Sequence, residues 1–260
     1  MRHSISHWIL KMLPWGIPFL LLVLWQLFTE AGIVSSKILP APLDVYFAAV
    51  HLMQTGDLPH HVWVSLWRAL IGFLIGGSLG FVLGLFNGLF RKAEMLLDTS
   101  IQMLRNIPHL ALIPLVILWF GIGEEAKVFL VSLGVLFPVY LNTFHGIKSV
   151  DRGLIEMGRM YGLKGFALFC HIIFPGALSS ILVGVRFSLG IMWITLIVAE
   201  TISATSGIGY MAMNAREFMQ MDVIVLSILL YALLGKLSDV IARFLERRWL
   251  KWHPSYERNS

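Results

Sequence analysis

Twenty-two consecutive residues, Ala69 to Phe90, carry no ionisable side chain. A bilayer core of about 30 Å is crossed by about 20 apolar residues in a helix, so this run is long enough to span a membrane. Five further stretches qualify, some only with their flanks, giving predicted spans over about 15–33, 69–90, 101–120, 128–145, 178–200 and 223–243. The third is short unless residues from Ile101 onward belong to it. A soluble globule is excluded on composition: 57% of residues are hydrophobic and 13% charged, against roughly 45–50% and about 25% in soluble domains. Disorder, collagen and coiled coil fail on the same numbers. A single cysteine, Cys170, excludes a disulfide framework and any multi-thiolate metal site. The expected fold class is an all-α integral membrane protein with six transmembrane helices.

The net charge is +5, and its placement points to membrane topology rather than to nucleic acid. Basic residues concentrate in alternate segments: Arg2 and Lys11; Arg91, Lys92 and Arg105; Lys148, Arg152, Arg159 and Lys164; Arg247, Arg248, Lys251 and Arg258. The intervening loops hold Lys37, Lys127 and Arg216. Loops retained in the cytoplasm carry the excess of Lys and Arg, so both termini are expected there. The organisation read from this is a cytoplasmic N-terminus (1–14), a six-span domain (15–245) with a long inner loop (146–177), and a cytoplasmic tail (246–260). The first stretch is read as a span and not as a cleaved signal peptide, because no A-x-A site follows it.

Several motifs have plainer readings. Gly76-Gly77-Ser78-Leu79-Gly80 matches the G-x-S-x-G nucleophile elbow, but that motif needs a sharp strand-to-helix turn, and here it lies inside an apolar span. Gly72, Gly76, Gly80, Gly84 and Gly88 recur every four residues. That puts small residues on one helical face, where a neighbouring backbone can approach closely. The nine histidines form no metal-binding spacing; His60-His61 reads as loop, and His109, His145 and His171 lie near span ends. No cofactor or metal is expected. Without a G-x-x-x-x-G-K-[ST] loop the chain is not expected to hydrolyse nucleotide. Gly121-Ile122-Gly123 and Gly207-Ile208-Gly209 read as turns at membrane exits.

Ionisable residues in or beside spans are functional hypotheses by default. Arg68 opens the second span, Arg186 lies within the fifth, and Glu200 ends it. Each competes with snorkelling or an interhelical pair.

The inner loop is the most informative segment. Residues 152–164 can form a short helix with a turn at Gly162 or Gly165, and Pro175 suits the first turn of the next span. Leu154, Ile155, Met157, Met160 and Tyr161 make the loop too apolar for a solvated linker; it suits a helix docking in another protein's groove. Glu156, Gly162, Ile172 and Pro175 resemble the E-A-A-x₃-G-x₉-I-x-L-P loop of bacterial ABC-importer permeases. Met157-Gly158 stands where two alanines are usual, and Phe174 replaces leucine. Gly158 should weaken the helix somewhat.

A narrower resemblance runs along nearly the whole chain. Ser65-Leu-Trp-Arg68 with Gly72-Phe73, Arg105-Asn-Ile-Pro108 through Pro114-Leu115, Trp119 through Glu124, Phe137-Pro138 with Asn142-Thr143, Val198-Ala-Glu200 and Ser206-Gly-Ile-Gly209 are similar to the nitrate, sulfonate and taurine permease group. Gln102 to Asn106, Ala199 to Ser203 and Met213 to Glu217 are most similar to the aliphatic sulfonate permeases.

The resemblance implies the type I importer fold: a homodimer of six-span permeases, two cytoplasmic ATPase subunits and an external solute-binding protein, with the inner loop as coupling helix. Glu156, Gly158, Tyr161, Gly162, Ile172 and Pro175 would then form the coupling loop. Glu156 is expected to cap the helix or pair with a basic group, and Gly162 to turn where a Cβ would clash with backbone or partner. An alkanesulfonate is a permanent anion with a short apolar tail, and transit needs weak, multi-site attraction. Arg68, Arg186, Glu200, Ser203 and Arg216 are the candidate path residues. A stand-alone secondary transporter would need proton-relay carboxylates or an inverted repeat, neither of which is visible. An intramembrane enzyme would rest on Ser78 alone. Taurine, nitrate or another small solute is the alternative cargo.

Overall fold

The computed structural model describes residues 2–35 and 37–250, with side chains from residue 16 onward except that of Ser203. Among these residues the secondary structure is helical throughout. Helix α1 (Arg2–Glu30) leads through a turn to α2 (Pro42–Thr55), whose first turn carries Pro42 and whose Asp44 side chain accepts from the Ala41 N–H. Gly56, at φ +85°, turns the chain into α3 (Asp57–Leu89). His60 and His61 are thus helical, not loop residues. The Gly56 turn needs no long connection, so the apolar helix begins earlier than hydropathy suggests.

The segment expected to be a basic loop, with Arg91, Lys92 and Arg105, is instead helix α4 (Arg91–Arg105). It ends at Asn106, and a 3₁₀ turn (His109–Leu112) leads into α5 (Ile113–Phe120). The predicted third span is therefore no straight helix: the α4 axis and the His109–Phe120 segment are bent by 78°. Pro108 explains the break, since it lacks an N–H and pushes Ile107 out of the helical region. The segment after the break reaches into the bundle. His109 Nε2 sits 2.9 Å from Thr195 Oγ1, and a Cβ on Gly134 would lie 3.3 Å from the same nitrogen.

Helix α6 (Glu124–Lys148) packs most extensively against α3. A Cβ built on Gly76 would lie 2.1 Å from the Ser132 carbonyl oxygen, and one on Gly80 2.4 Å from that of Leu136. At Gly72, Gly84 and Gly88 it would meet Val131, Thr143 and Ile147 at 2.5–2.9 Å. The backbones approach only because side chains are missing, and van der Waals fit is what holds helices together in lipid. Gly80→Leu should cost at least about 3 kcal/mol, because the neighbour is backbone and cannot swing aside. Leu79 is half exposed on the opposite face, so Leu79→Ile should be neutral. The yield of monodisperse complex after detergent extraction compares the two. Normal yield from Gly80→Leu would show that the helices can part without loss.

After α6 come α7 (Arg152–Met160), α8 (Gly165–Leu168), a π-helical turn (Phe169–Ile173) and α9 (Phe174–Ser203). From Gly165 the helix is continuous to Ile202, so it starts well before the Leu178 expected from hydropathy. Pro175 lies inside this run. Its ring cannot donate to the preceding turn, and the π-turn absorbs the misfit. Helix α10 (Ile208–Glu217) is short, and α11 (Met221–Trp249) closes the bundle.

Four helices among the described residues are long and apolar enough to cross a membrane: α3, α6, the α8–α9 run and α11. The bent pair makes a fifth candidate. Of the first stretch, the described part Gly16–Glu30 is shorter than a full span. The core cluster of Val131, Val135, Leu196, Ile208 and Tyr231 joins α3, α6, α9, α10 and α11. Much of α1 and the far face of α3, including Trp63, Trp67, Leu70 and Leu74, is exposed and apolar. Lys251–Ser260, which hold the end of the expected tail, lie outside the described residues.

Candidate functional site

Two constellations stand at opposite ends of the bundle. At the end carrying α10, Arg68 is buried with all five N–H donors engaged. Its Nε and Nη2 fork onto Glu124 at 2.5 and 2.6 Å. Nη1 donates to Glu200 Oε1 at 2.8 Å and to the Ser206 carbonyl at 2.6 Å, and Nη2 also reaches Ser206 Oγ at 3.0 Å. A guanidinium has no sixth donor. Arg68 is thus spent on two carboxylates and a loop rather than turned to an open path.

Glu200 is as fully occupied. Ser65 shares its hydroxyl between the two carboxylate oxygens at 2.8 Å, Tyr231 donates at 2.8 Å, and the Gly209 N–H at 2.9 Å. The neighbouring N–H groups of Gly207 and Ile208 donate to His61 Nδ1 and Ser65 Oγ at 3.1 and 2.9 Å. The unpaired N–H groups and positive end of a helix favour an acceptor anion, so Glu200 caps α10 from α9. Gly207 has φ +110°, and a Cβ there would lie 2.4 Å from Glu200 Oε1 and 2.6 Å from Arg68 Nη1. The glycine turn is shaped to let the ion pair in. Lys127, itself buried, lies 3.4 Å from Glu124, which balances two carboxylates with two cations. Arg68, Glu124 and Glu200 tie α3, α6 and the α9–α10 turn into one unit.

Sequence reasoning singled out Arg68 and Glu200 separately as site candidates; Ser65, Glu124 and Ser206 entered only as motif residues, and Tyr231 not at all. A recoverable signal was Ser65 and Arg68, one helical turn apart in an apolar stretch. Arg216, near the end of α10, is exposed. The Ser203 side chain lies outside the described residues. Arg186 donates to Asp239 at 2.7 Å and approaches Glu246 at 3.7 Å, forming an interhelical cluster that Arg243 and Lys236 extend.

At the other end, α7 is capped on both sides. Asp151, not Glu156, is the N-cap, accepting from the Gly153 N–H at 2.7 Å. Leu163 N–H donates to the Gly158 carbonyl and Gly162 N–H to that of Arg159, both at 3.0 Å. That is the Schellman pattern with Gly162 as the left-handed residue, at φ +85°. No atom of this chain lies within 4 Å of a Cβ built on Gly162, so within the subunit it is backbone conformation, not a clash with its own backbone, that demands glycine there. Gly158 is the crowded one: its Cβ would lie 2.2 Å from Ile172 Cδ1 and 3.0 Å from Leu168 Cδ1. The departure from alanine lets α7 seat closely on the start of the next helix. Ile155, Ile172 and Phe174 pack with Ile147, Val150 and Ala177, joining α7 to the ends of α6 and α9. Its end presents Met160 and Tyr161, and α8 beside it Phe166, each at least 80% exposed. Glu156 is exposed and makes no ion pair or hydrogen bond among the described residues.

Known proteins resemble the chain at both levels. The family described as binding-protein-dependent transport system inner membrane component matches residues 76–251. The chain is 63% identical over 256 residues to the putative aliphatic sulfonates transport permease protein SsuC of Escherichia coli, covering 98% of this chain and 97% of that one. The Bacillus subtilis protein of the same description is 44% identical, covering 93% and 87%. The Escherichia coli taurine transport system permease protein TauC is 34% identical, covering 92% and 88%. Among solved structures, an amino acid ABC transporter superposes with TM-score 0.63 at 17% identity, over 77% of this chain and 97% of that one. An inward-facing MetNI methionine ABC transporter gives TM-score 0.59 at 18% identity, over 73% and 96%.

Proposed function

The chain belongs to the binding-protein-dependent transport system inner membrane component family, and from that premise we propose that it is the permease subunit of an ABC importer for aliphatic sulfonates. The 63% identity over almost the full length of both chains carries the choice of sulfonate; the taurine relative stands much further off. The structural arrangement supports the transport role. A capped helix with an exposed apolar side, fixed to the ends of two long apolar helices, suits a partner that pushes.

In this reading the permease works as a homodimer of six-span subunits, with α1 as the first span and the bent α4–α5 pair as the third. Two ATPase subunits bind at the α7 end, and a solute-binding protein at the α10 end. The α7 end carries Lys148, Arg152, Arg159 and Lys164, and so faces the cytoplasm with both termini. Hydrolysis belongs to the ATPase chains, because this one has no phosphate-binding loop. Glu156, Tyr161 and Gly162 form the coupling face, with Gly158, Ile172 and Pro175 seating it. Arg216, exposed at the outer end, offers the arriving anion a weak first contact.

Growth tests the cargo. A strain lacking this gene, and any second uptake system, is expected not to grow on an alkanesulfonate as sole sulfur source while growing normally on sulfate. Unimpaired growth on alkanesulfonate with loss of growth on taurine would move the assignment to the alternative solute.

A further inference from the structure

Arg105 is the last residue of α4, at the break in the bent span. The two halves together have the length and composition of one apolar span, bent at this break. The contact of His109 with Thr195, close beside Gly134 near the middle of α6, sets its level. Residues 103–108 are all exposed. Backbone that leaves the helix at membrane depth is tolerated only where it is buried in protein or lines a water-filled cavity. Nothing in this subunit buries it, which leaves the second case where no partner subunit covers it.

Among the described residues, the basic side chains that lie inside the long helices, away from their ends, meet carboxylates: Arg68, Lys127, Arg186, Lys236 and Arg243. Arg105 is exposed and has no hydrogen bond or ion pair among the described residues. An unmatched guanidinium inside a span is expensive unless it faces water or an anion.

We propose that Arg105, with Asn106 beside it, forms the mid-membrane contact for the sulfonate head group in the translocation path. The inference rests on the importer reading and names the residues that meet its cargo. A guanidinium presents paired N–H donors to an oxyanion, and the Asn106 amide adds another. The exposed side chains of Met103, Leu104 and Ile107 lie alongside for the short alkyl tail. Because the site opens to water, the attraction stays weak enough for release, as a conducting path requires.

The test uses the permease reconstituted with its ATPase and binding protein, with labelled butanesulfonate as probe. Arg105→Gln is expected to lower uptake roughly 10- to 100-fold, the loss carried by one charge-assisted hydrogen bond, while hydrolysis stimulated by loaded binding protein stays within about twofold. Arg105→Lys should recover part of the uptake, since it keeps the charge but not the fork. Unchanged uptake by Arg105→Gln overturns the proposal. So does a parallel fall in uptake and stimulated hydrolysis with Arg105→Lys no better than Arg105→Gln, which marks a structural role. Absence of ATP-dependent butanesulfonate uptake by the unmodified complex would instead overturn the importer reading.

Discussion

Arg68→Gln is expected to leave little assembled protein in the membrane. The substitution removes the full charge that pairs with buried Glu200 and the fork that holds Glu124. Breaking a buried pair by deleting one partner costs about 3–5 kcal/mol, because the remaining charge is stranded. Whole-domain stability is only about 5–15 kcal/mol. The carboxylates differ in their dependence on Arg68. The Glu124 side chain is 58% exposed and that of Glu200 0%, so Glu124→Gln should be the milder change. Pairing Arg68→Gln with Glu200→Gln removes the stranded charge and should recover part of the loss, the non-additivity expected of contacting residues. Thermal unfolding of the detergent-purified protein reads both effects. Additive losses would show that the two side chains do not depend on each other.

Gly162→Asp is expected to leave the protein inserted and the bundle intact, yet to abolish uptake. The strain comes from φ +85°, where a residue with a Cβ pays about 1–2 kcal/mol. That penalty falls on the Schellman turn ending α7, far from the packed core, so total stability should change little. What changes is the angle at which Met160 and Tyr161 meet a partner. Glu156→Ala removes a carboxylate that is spare within this chain, so uptake should fall less severely. Co-purification of the ATPase, with hydrolysis stimulated by loaded binding protein, separates lost docking from lost coupling. A Gly162→Asp protein with normal docking, hydrolysis and uptake would reduce α7 to a connector.

The apolar helices were legible in the sequence because bilayer-length runs advertise themselves without reference to any partner. The glycine spacing was legible for a similar reason, being periodic on a single helix. The break at Asn106–Pro108 was not, because apolar composition continues across it and hydropathy does not register a bend. Arg105 therefore looked like one more basic residue of a loop. The ion network was only half visible. Arg68 and Glu200 are 132 positions apart in sequence, and Glu124 sat beside turn glycines that suggested an ordinary exit from the membrane. Ser65 stands one helical turn from Arg68, which hints at a shared face, but Tyr231 carries no signal of its own; only the fold brings both hydroxyls to Glu200. At Gly162 the left-handed backbone supplies a reason for glycine within this chain that the sequence does not display, since a clash and a positive φ leave the same residue behind.

In the proposed reading this chain passes aliphatic sulfonates only when an ATPase drives it. Its most direct test is uptake of labelled butanesulfonate into liposomes holding the permease and its ATPase, with loaded binding protein outside and ATP enclosed. Uptake should require ATP and binding protein together, with unlabelled alkanesulfonate competing and nitrate not. Equal uptake without ATP, driven by an ion gradient alone, would contradict it and make the chain a transporter of a different kind.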